Sequence, residues 1–134
     1  MEIKKLKDED FLDDLFVEDD FPETVHMDSE EFRYNRELLN DDWFGLFEDD
    51  EMIGIACICL KSPTEAKIES FEIKENYQDN GYGTKLMKYI IQYYNFVDKI
   101  YLDCLYSDLD RFYKRFGFEI YSNDVTKKMV LNIG

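Results

Sequence analysis

The chain has 134 residues, 45% of them apolar and 35% charged, with a formal net charge of −15. This length suits a single domain over residues 1–134, and 11 Phe and 10 Tyr provide bulk for a core, which excludes a chain disordered throughout. The acidic excess argues against nucleic acid or an anionic membrane as partner, and no apolar run approaches the length that crosses a bilayer.

The charge is unevenly placed. Residues 1–51 hold 20 Asp or Glu against 5 Lys or Arg, whereas residues 52–134 hold 11 of each. A field concentrated in this way attracts a cation such as a polyamine, an amino sugar or a basic peptide, although acidic helices also serve simply to keep a protein soluble. The opening residues lack the apolar stretch of a signal peptide, and Cys57, Cys59 and Cys104 form no CxxC pair, so a reducing cytoplasm is the expected location.

In chain order, Glu2 to Leu6 reads as a first strand. Asp8 or Asp10 is placed to cap a short helix carrying Phe11, Leu12, Leu15 and Phe16, and Pro22 interrupts it. A second helix is expected from Ser29 to Leu39. The period then changes: Trp43 to Phe47 and Met52 to Leu60 read as a hairpin around the acidic turn Glu48 to Glu51, ended by Ser62 and Pro63. Lys67 to Ile73 is a further strand whose broken alternation points to a bulge or to burial on both faces. Gly83 to Val97 predicts a long helix, with Leu86, Met87, Ile90, Ile91 and Tyr94 on one stripe. Ile100 to Leu105 is the next strand, Asp108 to Phe116 a short helix closed by Gly117, and Phe118 to Tyr121 and Lys128 to Ile133 a last strand pair. Strands flanked by helices in this order predict one α/β layered domain.

Between a strand and the long helix lies Gln78, Asp79, Asn80, Gly81, Tyr82, Gly83. Glycines at 81 and 83 let the backbone turn sharply and approach a ligand, and the N–H groups at the helix start then suit a phosphate or pyrophosphate. Lys85 and Lys88 follow on the same helix. A dinucleotide fingerprint would need a glycine where Leu86 stands, and a Walker loop would need Gly-Lys-Ser/Thr. Alone, the loop is equally compatible with a tight turn that binds nothing.

This loop resembles the acyl-CoA pyrophosphate motif Q/R-x-x-G-x-G/A of the GNAT superfamily of N-acetyltransferases. About thirty residues later, Phe112, Tyr113, Lys114, Arg115, Phe116, Gly117 and Phe118 resemble the second motif of that superfamily. The resemblance is close over residues 68–121. It implies a mixed, mostly antiparallel central sheet of six to seven strands flanked by helices, a three-layer sandwich. It further implies acetyl-CoA as co-substrate, the backbone of Phe71, Glu72 and Ile73 along the pantetheine arm, and Gln78, Asp79, Asn80, Gly81, Tyr82, Gly83, Thr84 and Lys85 around the pyrophosphate. Ser107 is a candidate for a further polar contact with the CoA arm, and Arg111, Lys114 and Arg115 are candidates near the nucleotide unless they form only a solvated helix face. Tyr106 and Leu109 stand where the superfamily often has an Asn and a small residue, and Asp79 where glycine is common.

The resemblance gives Tyr113 the role of proton donor to the departing thiolate, and an ordinary phenol is protonated at neutral pH. The amine acceptor must lose a proton, for which Glu69 and Glu72 are the candidates. In an unbroken strand they face opposite ways, and Glu69 would share a face with Phe71 and Ile73. Asp103 is held in reserve. No Cys is paired in sequence with His26, so neither a thiol nucleophile nor a zinc site is expected, and no metal is implied. The expected reaction is direct acetyl transfer to the amine of a small cationic molecule. The alternatives are acetylation of a protein N-terminus or lysine, and a CoA-binding sensor or structural protein without chemistry. A homodimer is compatible with each.

Overall fold

The computed structural model describes residues 1–7, 41–104 and 109–134. The helices expected between Asp8 and Leu39 lie outside these residues, as do His26, Tyr106 and Ser107.

Among the described residues seven strands make one sheet: β1 (Glu2–Lys5), β2 (Asp41–Glu48), β3 (Glu51–Ser62), β4 (Glu65–Ile73), β5 (Lys99–Cys104), β6 (Glu119–Ser122) and β7 (Lys127–Asn132). Their spatial order is β1-β2-β3-β4-β5-β7-β6, antiparallel everywhere except between β4 and β5. That parallel pair is joined by the helix α1 (Tyr82–Tyr93), as a crossover requires. A second helix, α2 (Asp110–Lys114), connects β5 to β6, and Gly117 just beyond it is left-handed with φ of 102°. This is the mixed, mostly antiparallel sheet flanked by helices that the resemblance implied.

The expected stripe of α1 packs as predicted. Leu86, Met87 and Ile90 are fully buried against Phe44, Ile53, Ala56, Ile68 and Ile73 of the sheet. The helix ends earlier than Val97, because from Tyr94 onward the chain tightens into i to i−3 turns and Asp98 is drawn to the carbonyl of Thr64 at the start of β4. Tyr94 is itself buried and donates its hydroxyl to Asp42 at 2.8 Å, which also pairs with Lys5 at 3.1 Å. The opposite face of the sheet carries a smaller apolar cluster of Leu6, Trp43, Phe47, Met52, Ile55 and Cys57.

Two irregularities shape β4 and its surroundings. Cys57 pairs with Ser70 but Ile58 with Ile68, so Glu69 is an extra residue, a β-bulge. The pairing of β4 with β5 stops at Ile68 and Leu102, after which the two strands diverge. At the same end of the sheet as the close of β4, the β2–β3 turn is built on Asp49 and Asp50, at φ of 51° and 66°. A two-residue hairpin turn with both central residues left-handed favours Asn-Gly, since a side chain is strained there. Replacing Asp49-Asp50 by Asn-Gly is therefore expected to raise the melting temperature, by about 4 °C for each kcal/mol of strain relieved, as thermal unfolding would show; a lower midpoint would count against strain in this turn.

Burial also fixes how stability responds to alkali. Desolvation pushes the thiol of Cys57 and the phenols of Tyr94 and Tyr113 upward, the last to about 12, with Asp42 adding to the effect on Tyr94. Folded protons are thus held more tightly than unfolded ones. Their contribution is complete below the ordinary thiol and phenol ranges, about 8.5 and 10, and is lost as pH rises beyond them because the unfolded chain ionises first. Melting temperature is expected to fall between pH 9 and 12, about the interval those values span, and Tyr94→Phe should make the decline shallower; an unchanged slope in that variant would show that Tyr94 does not contribute.

Candidate active site

The divergence of β4 from β5 opens a cleft of about 750 Å³. Its floor is the end of β4, where Phe71, Glu72 and Ile73 line it. Lys74 donates its backbone N–H to Ile53 at 2.8 Å, and in an antiparallel ladder alternate residues bond to the same neighbour. Glu72 and Lys74 thus face β3, while the amide groups of Phe71 and Ile73 face the opening. One of these acceptors is filled, since Gln78 Nε2 donates to the Ile73 carbonyl at 2.9 Å. The remaining edge presents peptide groups to whatever enters the cleft.

The rim on one side is the loop into α1. Gln78, Asp79, Gly81, Gly83 and Thr84 line the cleft. Gly81 is the N-cap of α1 with φ of 83°, and having no side chain it leaves the first N–H groups of the helix uncapped. The first intrahelical bond at this end runs from Lys85 to Gly81, so the N–H groups of Tyr82, Gly83 and Thr84 project from the helix start, where an anion is favoured. Gly83 leaves room for the opposite rim. A Cβ there would lie 3.3 Å from the ring of Phe112, which closes the cleft from α2. Asp79 also lines the cleft, at φ of 64°, a left-handed position that Asp tolerates better than most residues.

The opposite rim comes from α2. Tyr113 and Phe112 reach the cleft, with Leu109 and Arg115 beside them. Phe112 meets Phe71 across the opening at 5.9 Å between ring centroids, and Tyr113 packs edge-on to Phe112 and Phe118. Tyr113 is 8% exposed, and burial, with Cys104 of β5 nearby, lifts its phenol to about 12. Such a hydroxyl is a held proton at every physiological pH.

The expected site residues separate accordingly. Phe71, Glu72, Ile73, Gln78, Asp79, Gly81, Gly83, Thr84 and Tyr113 come together around one cleft. Asn80 instead closes its own turn, its side-chain amide donating to Gln78 at 2.9 Å, and Tyr82 donates its hydroxyl to Glu48 at 2.9 Å while its backbone begins α1. Lys85 sits over the ring of Tyr82, and Lys114 pairs with Asp110 at 3.7 Å, one turn back on its helix. The cation on the cleft is Arg115, three residues from Phe112 and so on the same helix face, with its guanidinium 5.9 Å from that ring. That spacing was the signal that distinguishes Arg115 from Lys114.

Glu69 does not share a face with Phe71 and Ile73. The bulge turns it to the side of Cys57, where it pairs with Lys61 at 3.2 Å and its charge adds to the burial that chiefly raises the carboxyl of Asp41 and the thiols of Cys57 and Cys59. Of the two candidate glutamates it is Glu72, directly opposite Ile55 on that same side, that lines the cleft. Asp103 pairs with Lys67 at 3.2 Å. Among the described residues no cluster of His, Cys, Asp and Glu is arranged to hold a metal, and no helix is long and apolar enough to cross a membrane.

Comparison with solved structures returns the same architecture. The ribosomal-protein-S18-alanine N-acetyltransferase of Escherichia coli superposes with a TM-score of 0.76 at 19% identity, over 99% of this chain and 94% of that one. Ard1 of Thermoplasma volcanium gives 0.74 at 21% identity, over 99% and 97%. The PaiA N-acetyltransferase of Thermoplasma acidophilum, solved in complex with coenzyme A, gives 0.69 at 20%, over 98% of each. These likenesses are of fold. No curated protein sequence matches the chain. Residues 8–118 match the acetyltransferase (GNAT) family, a span that holds both the helix-start loop and Tyr113, and the chain belongs to that family as an acetyl-CoA-dependent acyltransferase.

Proposed function

We propose that the protein moves the acetyl group of acetyl-CoA directly onto the primary amine of a small cationic molecule in the cytoplasm. The observation that carries this reading is the single cleft joining the uncapped start of α1 to the buried phenol of Tyr113. The residues fit the co-substrate. The N–H groups of Tyr82, Gly83 and Thr84 suit its pyrophosphate, Arg115 a further phosphate oxygen, and the open edge at Phe71 and Ile73 the amides of its pantetheine arm.

When bound, acetyl-CoA supplies an acyl carbon joined to a good leaving group. The chain holds it in line with the acceptor amine, shields it with Phe71 and Phe112, and offers the Tyr113 hydroxyl to the sulfur as the carbon–sulfur bond breaks and the carbon–nitrogen bond forms. Glu72, on the cleft, is placed to take the proton that the amine must lose. The three cysteines are buried and in no disulfide, which suits a reducing compartment, and none of them lines the cleft to offer a thiol for an acyl-enzyme step.

The cationic acceptor rests on charge, since 20 of the 31 acidic residues lie in the first 51. A second reading, acetylation of a protein N-terminus, draws on the fold shared with the E. coli ribosomal-protein-S18-alanine enzyme, and a basic peptide would be attracted by the same field. Thiol-release assays over polyamines, amino sugars and basic peptides separate the two, and acetyl-CoA binding with no turnover on any amine would sink both.

Tyr113→Phe is expected to lower turnover by about 10²-fold or more while leaving acetyl-CoA affinity nearly unchanged. An equal loss in both would make Tyr113 a packing residue. Because its phenol lies near 12, the wild-type rate should show no alkaline limb from Tyr113 below pH of about 11. The acceptor's apparent affinity should weaken as salt shortens the screening length to about 8 Å at physiological strength, and a flat salt dependence would remove the electrostatic argument.

A further inference from the structure

The acidic hairpin turn between β2 and β3 breaks two local rules at once. Glu48 and Glu51 are direct cross-strand partners, which sets like charges opposite each other, and the two residues between them are aspartates in left-handed conformation. Nothing in the core accounts for this, since the turn lies at the exposed end of the hairpin. Local conflicts of this kind are expected where function sets the requirement.

The carboxylates are occupied by the segment that carries the cleft loop. Glu51 accepts from the hydroxyl of Tyr77 at 3.0 Å and from the ammonium of Lys74 at 3.0 Å. Glu48 accepts from the hydroxyl of Tyr82 at 2.9 Å, and its other oxygen pairs with the N-terminal ammonium of Met1 at 3.3 Å. Tyr77 and Tyr82 then meet edge-on at 6.0 Å, closing the arch. These residues bracket Gln78, Asp79, Asn80 and Gly81, all of which are exposed and have no buried side chain to hold them. A Cβ added at Gly81 would meet nothing within 4 Å. Beyond the bonds of Gln78 to Ile73 and of Asn80 to Gln78, the loop tip is positioned by its two ends, and its ends are tied to the hairpin turn.

We infer that Glu48 and Glu51 are positioning residues for acetyl-CoA, acting through Tyr82 and Tyr77 to hold the start of α1 in its binding conformation. The inference rests on the reading of that helix start as the pyrophosphate site. Glu48 and Glu51 do not touch the co-substrate. They fix Tyr82, the first residue of α1, and the 3₁₀ turn Glu75–Tyr77 that leads into the loop, so that binding does not have to order them. The like-charge pairing is offset by the two hydroxyls, by Lys74 and by the N-terminal ammonium of Met1.

Charge and positioning predict opposite signs, which makes the test sharp. If the carboxylates acted only as nearby negative charges, deleting them would strengthen the binding of a polyanion. If they position the loop, deleting them weakens it. Calorimetry with acetyl-CoA on the full chain, accompanied by thermal unfolding of the free protein, reads both. The double variant Glu48→Ala with Glu51→Ala should bind about tenfold more weakly, which corresponds to about 1.4 kcal/mol, with an unchanged unfolding midpoint. Glu48→Gln should bind better than Glu48→Ala, because a carboxamide oxygen still accepts from Tyr82.

Unchanged or tighter binding in the double variant would overturn the inference, as would a Gln variant no better than Ala or a loss of affinity matched by a loss of stability. Failure of the wild-type protein to bind acetyl-CoA at all would sink the co-substrate reading itself, and this inference with it.

Discussion

Past Ile68 and Leu102, β4 and β5 stop bonding to each other, and a sheet that parts must find other partners for its peptide groups. The rest of the site follows from that constraint. The Glu69 bulge lies at the point of parting, where an added residue bends a strand and increases its twist. The alternation beyond it leaves the amides of Phe71 and Ile73 facing an opening rather than a neighbouring strand. Gln78 fills one of these positions, and a ligand with amide groups of its own suits the others. The gap could not simply be closed by side chains, because α1 must cross from β4 to β5 and its start occupies the same end of the sheet.

Much of this was legible locally. The Gly81 and Gly83 loop, the stripe of α1 and the left-handed Gly117 each follow from properties that a residue keeps wherever it sits: the lack of a Cβ, or a spacing of three and four. The facing of Glu69 was not legible, because one extra residue reverses every side chain after it, and where that residue is absorbed is decided by the register with β3. The broken alternation of Lys67 to Ile73 announced a bulge without locating it. Lys114 and Arg115 differ for a related reason. Both lie at the same end of α2, and which of them reaches the cleft depends on Phe112 being the wall and Asp110 the ion-pair partner.

The acidic hairpin illustrates the same division. Glu48 to Glu51 was readable as a turn, and its charge as part of the field of the first 51 residues, but its bonds to Tyr77 and Tyr82 span 26 and 34 positions. Long-range pairs of this kind leave no periodic trace. What the sequence did carry was the conflict itself, four consecutive carboxylates where a tight hairpin favours Asn-Gly. A conflict that the fold does not need indicates that another part of the molecule does.

The burial of Tyr113 carries a cost that its environment also offsets. A phenol near 12 is a weaker acid than a thiol in water, for which the ordinary value is about 8.5, so full proton transfer to a solvated thiolate would be uphill. In the proposed reaction the sulfur leaves beside Tyr113, where Phe71 and Phe112 wall the cleft, and the desolvation that raises the phenol raises a thiol as well. Cys57 in the neighbouring core shows the direction for sulfur, its thiol lifted chiefly by burial. The two proton affinities therefore rise together, and the donor stays matched to the group that it serves. Admitting water to the cleft would lower both, but the thiolate would then be solvated by water and would no longer require Tyr113. In the proposed reaction the rings of Phe71 and Phe112, which line the cleft beside Tyr113, would therefore decide how much the phenol matters.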